Sequence, residues 1–284
     1  MTSEVMDART GRPQAGPMSV RSATETAPVG VLLRQWRERR RLSQLELALQ
    51  AEISTRHLSY VETGRSRPSS RMILLLCEEL DVPLRERNRL LLAGGYAPAY
   101  RERPLESPEL SAVRGAVRSV LVGLEPYPAV LIDRHWTLLD ANSGVSTLLA
   151  GVAPQLLEAP VNVLRLSLHP DGMAPRIANL GEWKAHLLHR LRRQASVTAD
   201  IELARLYREL AALPSAQPVP RITTPAAGDV VVPLRYQVAD RVLSFVSMTA
   251  VLGTPLDLTL DDLAIEAFYP ADEETATYLR SSRS

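Results

Sequence analysis

Between Leu42 and Ser69 the chain sets capping, small and apolar residues in an order that suits two short helices crossing at a steep angle. Ser43 followed three residues later by Glu46 is a capping box, so a helix starts there, with Leu47, Ala48 and Ala51 as its buried stripe. Ser54 caps a second helix, whose inward face is Leu58 and Val61. Thr55, Arg56, His57, Ser59 and Tyr60 are then left pointing outward. Ala48 is small where the two helices approach, Ile53 plugs the turn, and Gly64 ends the second helix ahead of Arg65, Arg67 and Pro68. A helix with core contacts on one face and polar donors on the other suits a DNA major groove.

These residues resemble the XRE family of helix-turn-helix regulators. The resemblance rests on Ser43-Gln44-x-x-Leu47-Ala48, on Ile53-Ser54 before the second helix, and on Glu62-x-Gly64-x-x-x-Pro68 after it. It implies an all-α domain of five helices that binds double-stranded DNA. Thr55, Arg56, His57, Ser59 and Tyr60 are the expected base-reading set, with Gln44, Arg65 and Arg67 on backbone phosphates. One such domain covers a short half-site, so a homodimer on an inverted repeat is expected. The family commonly has glycine in the turn, where this chain has Glu52, which predicts a left-handed non-glycine residue at a cost of about 1 kcal/mol.

A net charge of +1 hides a local excess: arginines outnumber acids by about five between positions 29 and 103. Lys184 is the only lysine and Cys77 the only cysteine, and Cys77 falls on the inward stripe of a helix with Ile73 and Leu80. A disulfide framework and a cysteine metal site are thereby excluded, and a buried, inert thiol is expected. No apolar run reaches the roughly 18 to 20 residues of a membrane span, which points to a cytoplasmic protein without membrane contact.

The domain organisation expected is a disordered leader over 1–27, the helix-turn-helix domain over 28–97, a proline-bearing linker over 98–108 and a second domain over 109–280. In the second domain an apolar helix from Leu110 to Leu124 precedes two β-rich runs, Tyr127 to Asp133 and Trp136 to Ala141. A helix capped from Asn142 or Ser143 follows, then helices near 161–168, 180–195 and 199–213. Strands from Val230 to Gln237 and Val242 to Leu252 complete an α+β domain with an antiparallel sheet.

Scattered segments extend a second resemblance from about 110 to 275. Tyr127-Pro128-Ala129-Val130-Leu131-Ile132-Asp133, Trp136-x-x-x-x-Ala141-Asn142, Asn162-x-Leu164-Arg165, His169-Pro170-Asp171-Gly172, Leu256-Asp257-x-Thr259-Leu260 and Tyr269-Pro270-Ala271-Asp272-Glu273 are similar to the MmyB-like ligand-binding domain. This implies a PAS-like fold around an apolar pocket and a small fatty-acid-like ligand. The expected lining is Val130, Ile132, Leu138, Leu164, Leu166, Trp183, Leu187, Phe245 and Val246, where each buried acyl methylene contributes up to about 0.8 kcal/mol. Arg165, His169, Asn142 and Tyr236 are the candidates for a carboxylate head group. The same apolar set equally describes a filled core.

Glu182, His186 and His189 share a helical face at i, i+4 and i+7, but without a fourth ligand they read as a solvated face. No metal, no cofactor and no enzymatic activity is expected, since nucleophile elbow, phosphate loop and separated acid pair are all missing from the sequence. The function implied is a sequence-specific transcription regulator controlled by an apolar or fatty-acid-like ligand. The alternative is a DNA-binding regulator whose second domain is a protein-interaction or dimerisation module without a small ligand.

Overall fold

The computed structural model describes residues 27–215, 217–220, 231–253 and 255–281. The expected leader lies outside them except for Ala27. Five helices come first: α1 (Val29–Arg39), α2 (Gln44–Gln50), α3 (Thr55–Glu62), α4 (Ser70–Glu79) and α5 (Leu84–Ala93). Ser43 closes the capping box with Glu46, while the Ser54 and Ser69 hydroxyls accept from the amides of His57 and Met72. The inward stripes meet in one core, in which Leu33, Trp36, Leu47, Leu58, Val61, Ile73, Leu76, Leu80, Leu90 and Leu91 are almost wholly buried. Glu52 has φ +52°, the left-handed turn its position predicts. Gly30 brings α1 against α3 so closely that a Cβ there would lie 2.1 Å from the Val61 carbonyl oxygen. Cys77 is fully buried, and burial pushes its thiol up to about 12, which keeps it protonated and unreactive.

The segment over 98–108 is a strap hydrogen-bonded at both ends. Asn88 on α5 accepts from the amides of Ala99 and Tyr100 and donates to the Tyr100 carbonyl. Further on, Arg103 pairs with Asp257 at 2.7 Å, and the Arg101 carbonyl accepts from the Leu258 amide.

The second domain continues with α6 (Ser111–Gly123), β1 (Ala129–Ile132), β2 (Leu138–Ala141), α7 (Ser146–Leu149), α8 (Val163–Leu168), α9 (Leu180–Thr198) and α10 (Ile201–Ala212). It closes with β3 (Leu234–Val238), β4 (Arg241–Val251), α11 (Leu258–Asp261), β5 (Ala264–Pro270) and α12 (Glu273–Ser281). The five strands form one antiparallel sheet in the order β2-β1-β5-β4-β3. The α+β, PAS-like arrangement expected from the sequence is therefore present, with a fifth strand and a last helix the sequence reading had not assigned. β5 is the central strand, pairing with β1 on one side and β4 on the other.

Alternation along the strands divides the apolar residues between two layers. Val130, Ile132 and Phe245 join the larger core with α8, α9 and α10, while Ala129, Leu131 and Ala267 pack under Val117 and Leu121 of α6. All four residues of β1 are buried because helices cover both of its faces, which is why its sequence reads as a continuous apolar run. Ala199, left-handed at φ +55°, ends α9, and Asp200 caps α10 through the amides of Glu202 and Leu203.

Candidate DNA interface and sensor cleft

On α3, Leu58 and Val61 are buried and Arg56 is exposed, while Thr55, His57, Ser59 and Tyr60 are half-buried. Tyr60 organises this surface. Its hydroxyl accepts from Arg56 Nε at 3.0 Å, and its ring lies 5.4 Å from the Arg56 guanidinium and 5.9 Å from that of Arg65. Two cations thus share one aromatic ring, which limits their conformational freedom before any anion arrives. Arg65 has no hydrogen-bond acceptor among the described residues.

Gln44 and Arg67 are each partly engaged inside the protein. Gln44 Nε2 donates to Glu62 at 2.8 Å, and Arg67 Nη2 donates to the Gly94 carbonyl at 3.0 Å, satisfying an orphan acceptor at the end of α5. The sequence reading missed the centre of this support, a buried pair in which Arg37 Nε and Nη2 donate to the two Glu62 oxygens at 2.7 and 2.9 Å. Its signal was available. Arg37 continues the inward stripe Val29, Leu33, Trp36, and Glu62 follows Val61 on the inward face of α3, so two opposite charges occupy core positions.

In the second domain the residues expected to line a cavity instead pack against one another. Val130, Ile132, Leu164, Leu166, Trp183, Leu187 and Phe245 belong to one buried cluster, with Leu138 partly buried against it. Val246 is a correction: it follows Phe245 on β4, so it points to the opposite face of the sheet, where it is paired with Tyr269. The head-group candidates are all hydrogen-bonded within the fold. Tyr236 is fully buried, and its hydroxyl donates to the Leu148 carbonyl at 2.7 Å. Asn142 accepts from the Ala129 amide and donates to the carbonyls of Leu121 and Tyr127, leaving no side-chain cap on the helical turn after it. Arg165 is exposed and forks onto Glu209 at 2.6 and 2.8 Å, and the His169 Nδ1 accepts from the Asp171 amide. Each has a hydrogen-bond partner within the fold, and Arg165 and His169 keep a further nitrogen outside these bonds.

The open volume lies elsewhere. A half-open cleft of about 890 Å³ runs between α9, the start of α10, the β1 and β4 side of the sheet, and α5 of the first domain. Ile132 is the one expected lining residue that reaches it. Its floor carries Trp136, held at φ +68°, a conformation rare for a bulky residue. The indole N–H donates to Gln194 at 2.8 Å, and the Arg190 guanidinium sits 4.6 Å above the ring. Arg190 also forks onto the buried Glu266 at 2.7 and 2.8 Å and donates to Thr249. His186 stacks on Trp183 at 5.4 Å, and burial, followed by the nearby Arg190 charge, pulls its imidazole below the usual histidine range. Glu182, on the same helix, accepts from Asn179 at 3.1 Å. On the opposite wall Arg85 of α5 pairs with Glu102 at 2.7 Å and with Asp262 at 2.8 Å.

Among the described residues no helix is long and apolar enough to cross a membrane. The search of curated proteins finds no match. A helix-turn-helix family model matches residues 33–87, covering α2 and α3 with most of their supporting helices. The model of the MmyB-like transcription regulator ligand binding domain matches residues 113–281, the whole sheet and the helices around it. Both are families of transcription regulators and not of enzymes. With more than half its length matched by that second model and a DNA-binding helix-turn-helix ahead of it, the chain belongs to the MmyB-like transcription regulators.

Proposed function

We propose that this regulator binds a specific double-stranded operator as a homodimer and that an amphiphilic, fatty-acid-like molecule in the cleft sets its operator affinity. The observation that carries the reading is the position of the cleft, whose walls come partly from the sensor sheet and partly from α5 of the DNA-binding domain. A ligand there touches both domains at once, which is what a coupling between two binding sites requires. The apolar residues Ile132, Leu203, Leu263 and Ala264 offer a floor to an alkyl chain, and the arginines around them suit an anionic head.

On the DNA side, Arg56 reads a guanine while Thr55, His57, Ser59 and Tyr60 contact neighbouring edges. Arg65, and the donors that Gln44 and Arg67 still have unused, meet phosphates. A filled core where a cavity was expected favours a second reading, in which the sensor domain serves association with another protein or with its own copy and takes no small ligand.

Binding-site selection with wild type and Arg56→Ala, followed by titration of dodecanoate into the operator complex, tests the proposal. Arg56→Ala is expected to relax one base position, a change worth about 1 to 3 kcal/mol. Dodecanoate is expected to shift operator affinity by about fivefold or more. Unchanged base preferences sink the recognition assignment, and an operator complex indifferent to acyl carboxylates of every length gives the ground to the second reading.

A further inference from the structure

Arg85 stands where the two domains meet. It belongs to α5, yet its guanidinium is fixed by Glu102 of the strap, through Nη1 at 2.9 Å and Nη2 at 2.7 Å, and by Asp262 after α11, through Nη2 at 2.8 Å. This geometry uses the outer nitrogens and leaves Nε buried without an acceptor. An unsatisfied buried donor raises the energy of the arrangement that contains it, and it calls for an explanation when it sits at a junction.

Asp262 has a second cation waiting. Arg134, in the turn between β1 and β2, places Nε 3.6 Å from the Asp262 carboxylate and Nη1 3.4 Å from Asp200. If Arg85 turned away, Asp262 would keep a positive partner by closing that short gap. Arg85, Arg134 and Asp262 all line the cleft, so the exchange would take place on the wall of the ligand site. Arg89 and Arg193 on the same walls attract an anion, whereas Glu86, Asp133, Asp200, Glu202 and Asp261 oppose it.

Resting on the amphiphile reading above, we propose that Arg85 is the coupling residue of the cleft: an anionic head group draws its guanidinium off Asp262, supplies the missing acceptor for Nε, and hands Asp262 to Arg134. Occupancy then loosens α5 from α11, and the DNA-binding domain gains freedom relative to the sensor domain. The two arrangements of Arg85 are the two-state element that such coupling needs.

The test uses the full chain, dodecanoate as the charged probe and dodecan-1-ol as a neutral probe of the same length. Asp262→Asn removes the competitor for Arg85, so dodecanoate should bind about tenfold tighter than to wild type while dodecan-1-ol binds equally to both. A residue with only a structural role would give the opposite sign or none. Arg85→Gln should bind dodecanoate about tenfold more weakly and leave dodecan-1-ol unchanged. Without ligand, hydrogen exchange at residues 84–93 and 257–262 should rise in Asp262→Asn to the level of dodecanoate-bound wild type. The proposal is overturned if Asp262→Asn binds dodecanoate no tighter, or if Arg85→Gln binds it as wild type does. Should wild type bind neither probe, the amphiphile reading fails and the head-group step falls with it. Exchange in ligand-free Asp262→Asn then judges the Arg85–Asp262 contact alone, a rise upholding it as the joint between the domains and no rise removing it.

Discussion

Replacing Glu62 by Ala should unfold the DNA-binding domain long before it disturbs the sensor domain. The Glu62 side chain is 1% exposed and accepts from Arg37 Nε, Arg37 Nη2 and Gln44 Nε2, so its carboxylate ties α1, α2 and α3 together. Truncation leaves the Arg37 guanidinium, itself 10% exposed, with the Leu42 carbonyl as its remaining acceptor. Breaking a buried ion pair from one side costs about 3 to 5 kcal/mol, because the surviving charge cannot be rehydrated. A domain of this size has about 5 to 15 kcal/mol in total. At about 4 to 8 °C per kcal/mol the melting midpoint should fall by roughly 12 to 40 °C.

Calorimetry of the full chain reads this as a first transition that moves down while the second stays in place. Operator binding at room temperature should be lost in proportion. The double variant Arg37→Met, Glu62→Leu separates the ion pair from mere crowding, since removing both charges leaves neither one stranded. It should recover most of the loss, because well-packed apolar replacements of buried pairs are often neutral or better. A cost below about 1 kcal/mol for Glu62→Ala, or a double variant no more stable than the single one, would refute the reasoning.

Tyr60→Ala removes the ring shared by Arg56 and Arg65, and at about 0.5 to 1 kcal/mol per cation the operator affinity should drop about 5- to 30-fold with little change in melting temperature. Tyr60→Phe keeps the ring and should stay within a few-fold of wild type in the same gel-shift titration; equal affinities for wild type and Tyr60→Ala would count against the stacked arrangement. His186 gives a pH signature. Its folded pKa lies below the unfolded value, so in the window beneath about 6.5 the unfolded chain holds more protons and stability falls as pH is lowered through it. The sensor transition of wild type should therefore lose midpoint faster than that of His186→Gln between pH 7.5 and 5.5, and parallel curves would show that the half-buried imidazole does not carry the effect.

The helix-turn-helix domain was legible because its determinants are local. A capping box, three capping serines, a glycine terminator and an inward stripe every third or fourth residue all act within a few positions of one another. Glu52 came from the resemblance instead: the family commonly has glycine at that place in the turn, and the residue standing there takes the positive φ this implies. The sheet was harder. β5 reads Ala-Ile-Glu-Ala-Phe-Tyr-Pro, with an acidic residue at its middle and a proline at its end, both of which argue against a central strand. It can be central because Arg190, 76 residues earlier in the chain, neutralises Glu266, and because Pro270 falls where the strand is ending. Neither compensation is visible in the strand's own neighbourhood.

Polar residues posed the same difficulty at the candidate ligand site. A sequence shows which side chains can donate or accept, but not which backbone groups they are needed to satisfy, and buried backbone groups outnumber the polar side chains available to a ligand. Asn142 and Tyr236 were chosen as ligand donors for their chemistry, and the fold uses both as donors to backbone carbonyls, those of Leu121 and Leu148 near helix ends and that of Tyr127 in a turn. Arg85 shows the converse. It was one arginine among many on a surface helix, and only the strap that brings Glu102 back to it and the loop that delivers Asp262 make it a junction. Groups with unmet capacity are found by following each buried donor to its acceptor through the folded chain. Followed in this way, the Nε of Arg85 ends beside the space between the two domains.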